Sequence, residues 1–141
     1  MSAGLLSGFT PLMVACEDLD LSQVQFLLPV SDLNATSEAG WTALAIAVKA
    51  GSLELVELLL ESGAEVDQAN KAGQTPLLLA CWEGSELLVA KLLEAGADTN
   101  AADKRGWTPL MAAVHRDEVE MAGLLLRYGC GVQARDGVGG I

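Results

Sequence analysis

At 141 residues, with 51% hydrophobic but only 4% aromatic content, the chain is long enough for one domain whose core must be built from Ala and Leu rather than from rings. A formal net charge of −11 disfavours phosphate backbones and anionic lipid surfaces as partners. A single histidine, His115, and three cysteines without a CxxC pair leave no metal-ligand spacing, and no Ser/His/Asp or Cys/His catalytic group can be assembled from them.

The odd cysteine count (Cys16, Cys81, Cys130) suits a reducing compartment, so a cytoplasmic or nuclear location is expected. The start, MSAGLLSGFTP, lacks the basic and apolar regions of a signal peptide. The longest apolar runs, such as Leu77 to Trp82, hold around six residues, far short of the roughly 20 that a membrane-spanning helix needs.

Taken in chain order, four segments share one pattern: GFTPLMVAC from Gly8, GWTALAIAV from Gly40, GQTPLLLAC from Gly73 and GWTPLMAAV from Gly106. Their spacings are 32, 33 and 33 residues. A second block follows each of them (VQFLLPVSD, VELLLESGAE, AKLLEAGAD, AGLLLRYGCG), and two blocks at one period mark an internal repeat. In every unit a threonine (Thr10, Thr42, Thr75, Thr108) stands where its hydroxyl can cap a helix start. Pro11, Pro76 and Pro109 follow at the first helical position, where the missing N–H costs nothing. A short Ala- and Leu-rich helix comes next, ended by Gly51 or Gly84 in the middle units. An amphipathic second helix, such as Leu53 to Glu61, then runs to a glycine stop at Gly63, Gly96 or Gly129. Polar turns such as Asp67 to Gly73 and Asn100 to Gly106 lead into the following unit. A helix pair this short cannot bury its apolar face alone; stacking does so, and the expected fold is an all-α repeat solenoid spanning 1–141. Its units fall at about 5–36, 37–69, 70–102 and 103–135, and 136–141 open a further turn. Neither end reads as a polar cap, which is expected of a piece of a longer protein. Cys16 and Cys81 share one small-residue slot two units apart, roughly 20 Å at about 10 Å per stacked pair, too far for a disulfide.

These blocks resemble the ankyrin repeat, whose pattern runs D-x-x-G-x-T-P-L-H-x-A-A and then V-x-L-L-L-x-x-G-A-D-V-N, and the match covers residues 5 to about 139. The resemblance implies stacked antiparallel helix pairs with β-hairpin fingers at right angles, and protein recognition through the fingers and the concave first-helix face. The pattern's histidine is replaced in all four units, by Met13, Ala45, Leu78 and Met111. Ala43 stands for the proline in the second unit, and Ser31-Asp32, one residue short, predicts an irregular turn in the first.

Carried over unit by unit, the family's variable surface positions are Phe9, Glu17 and Asp18, then Thr36, Glu38, Ala39, Trp41, Lys49 and Ala50. The third unit contributes Ala69, Lys71, Ala72, Gln74, Trp82 and Glu83, and the fourth Ala102, Lys104, Arg105, Trp107, His115 and Arg116. Six of the eight basic residues (Lys49, Lys71, Lys104, Arg105, Arg116, Arg135) sit on fingers or first helices, with acids at the N-terminal end and bases at the C-terminal end. A protein or extended peptide with an acidic segment lying against the fourth unit is the expected partner; Trp82, Trp107 and Arg105 are the residue types that dominate interfaces. No cofactor and no small-molecule substrate are expected.

The alternative is a methyl-lysine (histone) reader or the regulatory arm of a larger chromatin or signalling enzyme. Gly40-Trp41 and Gly106-Trp107 begin like the ankyrin units of certain lysine methyltransferases, but Ile46 and Ala112 stand at the second cage position and Lys49 and His115 at the acidic one. Finally, Asn100 in LLEAGADTN resembles the asparagine hydroxylated in many ankyrin domains, with Thr99 in place of the usual Val.

Overall fold

The computed structural model describes residues 8–129, so Cys130, Arg135 and the start of a further turn at 136–141 lie outside the described residues. Eight α-helices occur among these, in four pairs: α1 (Pro11–Glu17) and α2 (Leu21–Leu27), α3 (Ala43–Ala50) and α4 (Leu53–Glu61), α5 (Pro76–Glu83) and α6 (Glu86–Glu94), α7 (Pro109–His115) and α8 (Val119–Arg127). Each first helix packs on its own second helix and on the first helix of the next unit, giving a layer α1-α3-α5-α7 beside a layer that contains α4-α6-α8.

The local reasons for these helices repeat with the sequence. Thr10, Thr42, Thr75 and Thr108 are all N-caps in extended conformation, their hydroxyls accepting from the backbone N–H three residues on at 3.1–3.2 Å. Asp20, Ser52 and Ser85 cap the second helices of the first three units in the same way. Gly51 and Gly84 end α3 and α5 in the left-handed region, at φ 80° and 77°. The equivalent residues in the outer units are Leu19 and Asp117, which adopt φ 57° and 60° without a glycine's freedom. In the first unit the shortened stop becomes a 3₁₀ turn, Leu28–Val30, whose following Ser31 hydroxyl donates back to the Leu27 carbonyl at 2.7 Å. The expected irregularity is there.

The core is aliphatic throughout. α3 and α5, enclosed by neighbours on both sides and by their second helices, bury nearly every position from Ala43 to Val48 and from Pro76 to Cys81. The second helices are one-sided and bury stripes such as Leu55, Val56 and Leu59, or Leu88, Val89, Leu92 and Leu93. Met13, Ala45 and Leu78, which stand where the repeat pattern has histidine, are buried, so apolar packing fills that position. Cys16 and Cys81 are buried thiols, as their shared slot requires.

The fingers carry the hydrogen bonds of short hairpin turns, with a left-handed glycine (Gly40, Gly73, Gly106) before the closing residue, although among the described residues no strand is long enough to be assigned. Each finger is a tight turn closed by two backbone bonds: Ser37 N–H to Trp41 carbonyl (2.9 Å), Asn70 to Gln74 (3.0 Å) or Asp103 to Trp107 (2.9 Å), and a glycine N–H (Gly40, Gly73 or Gly106) back to the Ser37, Asn70 or Asp103 carbonyl at 2.9 Å. The N-cap threonine follows the closing residue directly, so no further rung forms within a finger. Adjacent fingers are instead linked to each other: Lys71 N–H donates to the Ala39 carbonyl (3.0 Å) and Lys104 N–H to that of Ala72 (3.1 Å).

Candidate functional site

The first residues to place are three that the sequence reading did not single out. Ser37, Asn70 and Asp103, five positions before the N-cap threonines, are buried at the base of their fingers. The Asn70 Oδ1 accepts from the N–H groups of Ala72 and Gln74, and Asp103 Oδ1 from those of Arg105 and Trp107, all at 2.8–3.0 Å. Ser37 Oγ accepts from Trp41 N–H at 3.1 Å. A small polar side chain thus organises each turn from within and presents its tip outward. The signal was in the sequence, as a Ser, Asn or Asp recurring at the repeat period. A comparable clamp joins successive units: Asn34 Oδ1 accepts from Glu65 N–H (2.8 Å) and Asp67 Oδ1 from Asp98 N–H (2.9 Å). Asn100 occupies this position in the next unit; it is exposed, and its own N–H donates to Asp98 Oδ1 at 2.9 Å.

On that frame the finger tips form a row. Glu38-Ala39, Lys71-Ala72 and Lys104-Arg105 are all exposed and lie in register, so the charge passes from negative to doubly positive along the stack. Arg105 is 71% exposed and only loosely tied, at 3.7 Å, to Asp103. Gln74, counted from sequence as a contact residue, is turned to the finger itself: its Oε1 accepts from Asn70 Nδ2 at 3.0 Å.

At the ends of the first helices, three aromatic residues meet. Trp82 from α5, Trp107 from the last finger and His115 from α7 form a closed triangle of edge-to-face contacts, with centroids 5.2, 5.4 and 5.6 Å apart. Both tryptophans are half-buried and His115 is exposed. The Trp82 Nε1 is buried and has no hydrogen-bond partner among the described residues. Trp41 is not brought to this group; it lies half-buried over the core. Lys49 is met by Glu83 of the next unit at 3.0 Å, and Arg116 lies 3.8 Å from Glu118. Three of the basic candidates therefore have carboxylate neighbours, whereas Lys71 and Lys104 present exposed ammonium groups.

On the second-helix side, a shallow groove of about 290 Å³ is lined by Glu57, Leu60, Glu61, Lys91, Glu94 and Ala95. Lys91 bridges Glu57 (3.3 Å) and Glu94 (3.6 Å), and the hydrogen bond and charge of Glu57, then those of Glu94, raise its pKa despite some desolvation. Nothing there resembles a nucleophile with its base. Among the described residues there is no cluster of three metal-ligating side chains, and no helix is long and apolar enough to cross a membrane.

Comparison with curated proteins returned no match. A family model for ankyrin repeats (three copies) matches twice, over residues 2–70 and 63–136, so it accounts for nearly the whole length. With four capped helix pairs stacked in register and linked finger to finger, this chain belongs to the ankyrin-repeat family, whose members generally serve as protein–protein interaction modules.

Proposed function

We propose that the chain recognises a partner protein through the finger tips and first-helix ends of its third and fourth units, gripping an extended segment that carries acidic residues. The observation that carries this reading is the Trp82–Trp107–His115 platform beside the basic tips Lys71, Lys104 and Arg105. Rigid aromatic rings packed edge to face give apolar contact area at little entropic cost, and exposed cations around them steer and orient an anionic ligand. In this reading Lys49–Glu83 and Arg116–Glu118 brace the platform, and Trp41 covers the core. The chain acts without catalysis, in the cytoplasm or nucleus. Hydroxylation of Asn100 would fall on an exposed turn at a unit joint; mass spectrometry after treatment with an asparaginyl hydroxylase tests it, and no added oxygen removes the idea.

A methyl-lysine reader needs a second aromatic wall, yet Ile46 and Ala112 at the relevant positions are buried in the core and leave nothing for a methylammonium to rest against. The test is selection from a library of extended peptides of varied charge. The intact chain should enrich peptides with an acidic run, with affinity falling as salt rises. Lys104→Glu/Arg105→Glu should weaken the selected peptide by about tenfold or more, and Trp82→Ala/Trp107→Ala should abolish binding while circular dichroism stays unchanged. Enrichment indifferent to peptide charge, or full affinity in the charge-reversed variant, rejects the proposal.

A further inference from the structure

The second and third units end their first helices with the same left-handed glycine, yet the two turns differ in what lies on them. A Cβ added at Gly51 would meet nothing within 4 Å among the described residues. One added at Gly84 would stand 2.7 Å from Arg116 Nη2 and 3.2 Å from Glu118 Oε2. The Arg116 guanidinium therefore rests on the bare backbone of the α5–α6 turn, two residues beyond Trp82, where glycine leaves room for it. The neighbouring register position accounts for the difference. Lys49 stands where the later units have Trp82 and His115, and it draws Glu83, the counterpart of Arg116, to 3.0 Å. Trp82 offers no such charge and packs on His115, and Arg116 settles over the glycine instead. Glu118 lies 3.8 Å from the guanidinium, beyond hydrogen-bond length, so their attraction leaves the fork of N–H donors unspent. The Arg116 side chain is still 39% exposed.

Building on the reading of an acidic partner segment, we infer that Arg116 grips a carboxylate of that segment through this fork, and that Gly84 is the residue that positions it. Lys71, Lys104 and Arg105 stand on finger tips; Arg105 is 71% exposed and held only by Asp103 at 3.7 Å. Ordering such side chains against a ligand costs entropy, whereas a guanidinium already resting on backbone has given up much of that freedom. Two parallel N–H groups can then meet both oxygens of one carboxylate, a geometry that an ammonium does not reproduce. The seat adjoins the aromatic platform, because His115 precedes Arg116 directly and Trp82 lies two residues before Gly84. A segment that lays an apolar side chain on the rings thus brings a neighbouring carboxylate to Arg116. The finger tips steer the ligand and Arg116 holds it: loss of tip charge slows association, and loss of the seated fork speeds dissociation.

The probe is the tightest acidic peptide enriched by the intact chain, with its association and dissociation rates measured by surface plasmon resonance. Enrichment of no acidic peptide removes the acidic-partner reading and the role of Arg116 together; the outcomes that follow bear on Arg116 and Gly84 alone. Arg116→Lys keeps the charge and should raise the dissociation rate by about tenfold, whereas Arg105→Lys should leave it nearly unchanged. Gly84→Ala should reproduce that loss, yet add nothing further in an Arg116→Gln background. Its melting temperature should fall only as far as that of Gly51→Ala, since the two glycines share φ 77° and 80° and the new methyl displaces the end of a flexible side chain. When the peptide's acidic residues are replaced one at a time by their amides, one replacement should weaken the wild type but not Arg116→Gln, which marks the carboxylate held. An Arg116→Lys chain with unchanged dissociation overturns the inference, as does Gly84→Ala binding as tightly as Gly51→Ala. A Gly84→Ala loss that persists in full in the Arg116→Gln background overturns it too, because that pattern belongs to a loosened fold.

Discussion

Gly51 and Gly73 share nearly the same backbone conformation, φ 80° and 82°, but differ in what an added methyl group would meet. At Gly51 the space is open, with nothing within 4 Å of the added Cβ. At Gly73 that Cβ would stand 2.8 Å from Lys104 N and 3.1 Å from Asp103 Cα, both in the backbone of the next finger. Alanine at either site incurs about 1–2 kcal/mol for the left-handed conformation and recovers about 0.4–1 kcal/mol through its less mobile unfolded chain. Gly51→Ala should therefore cost about 1 kcal/mol. Gly73→Ala carries the same backbone term and adds overpacking of about 1–3 kcal/mol. It also strains the Lys104 N–H to Ala72 carbonyl bond, worth about 0.5–1.5 kcal/mol. The expected total is about 3 kcal/mol. The difference between the variants isolates the coupling between fingers, because the conformational terms cancel. Urea titration followed by circular dichroism gives both values, and at about 3 °C per kcal/mol the melting temperatures should separate by several degrees. Hydrogen exchange should show α7 and α8 losing protection first in Gly73→Ala, since a linear stack is coupled through neighbours. Equal losses in the two variants would refute the view that finger-to-finger contact holds the units in register.

The same packing sets three further outcomes. Leu59→Ala, at a fully buried site, should lower stability by about 2–5 kcal/mol, whereas Leu87→Ala, on a side chain 69% exposed, should stay within about 0.5 kcal/mol by denaturant titration. Asp103→Ala removes the acceptor of two backbone N–H groups and should loosen the last finger, read as faster exchange at the amides of Arg105 and Trp107; Asp103→Asn, with Asn70 as precedent, should restore protection. Burial pushes the Cys16 thiol up to about 11, so the folded chain resists its ionisation. Its contribution to stability is complete below the ordinary thiol pKa of about 8.5 and is lost as pH rises through 11. Cys16→Val, which places in this slot the residue found at Val48, should lose less stability than wild type between pH 8.5 and 11 in parallel urea titrations.

Much of the architecture was legible because its causes are short-range. A threonine caps an amide three residues away, a proline suits the first turn, and a glycine permits the left-handed stop. Repetition of these signals every 32 or 33 residues therefore specifies four helix pairs. The finger scaffold was legible in principle, through Ser37, Asn70 and Asp103, but polar residues in a turn read as solvated until their burial is seen. Leu19 and Asp117 show the opposite case: neighbouring structure holds them in a conformation that neither residue type announces.

The sequence by itself determined the repeat, the starts of the four first helices and the row of finger tips, since caps and periodic apolar stripes act within a turn or two of the backbone. Tertiary structure alone decided which of the surface side chains cooperate. Lys49 finds Glu83 across 34 residues, and Trp82, Trp107 and His115 converge from two helices and a finger. It also decided that one register position is buried at Met13 and open at Met111. Those outcomes depend on how each unit is set against the next, a geometry fixed by packing between units and not by any signal inside one of them.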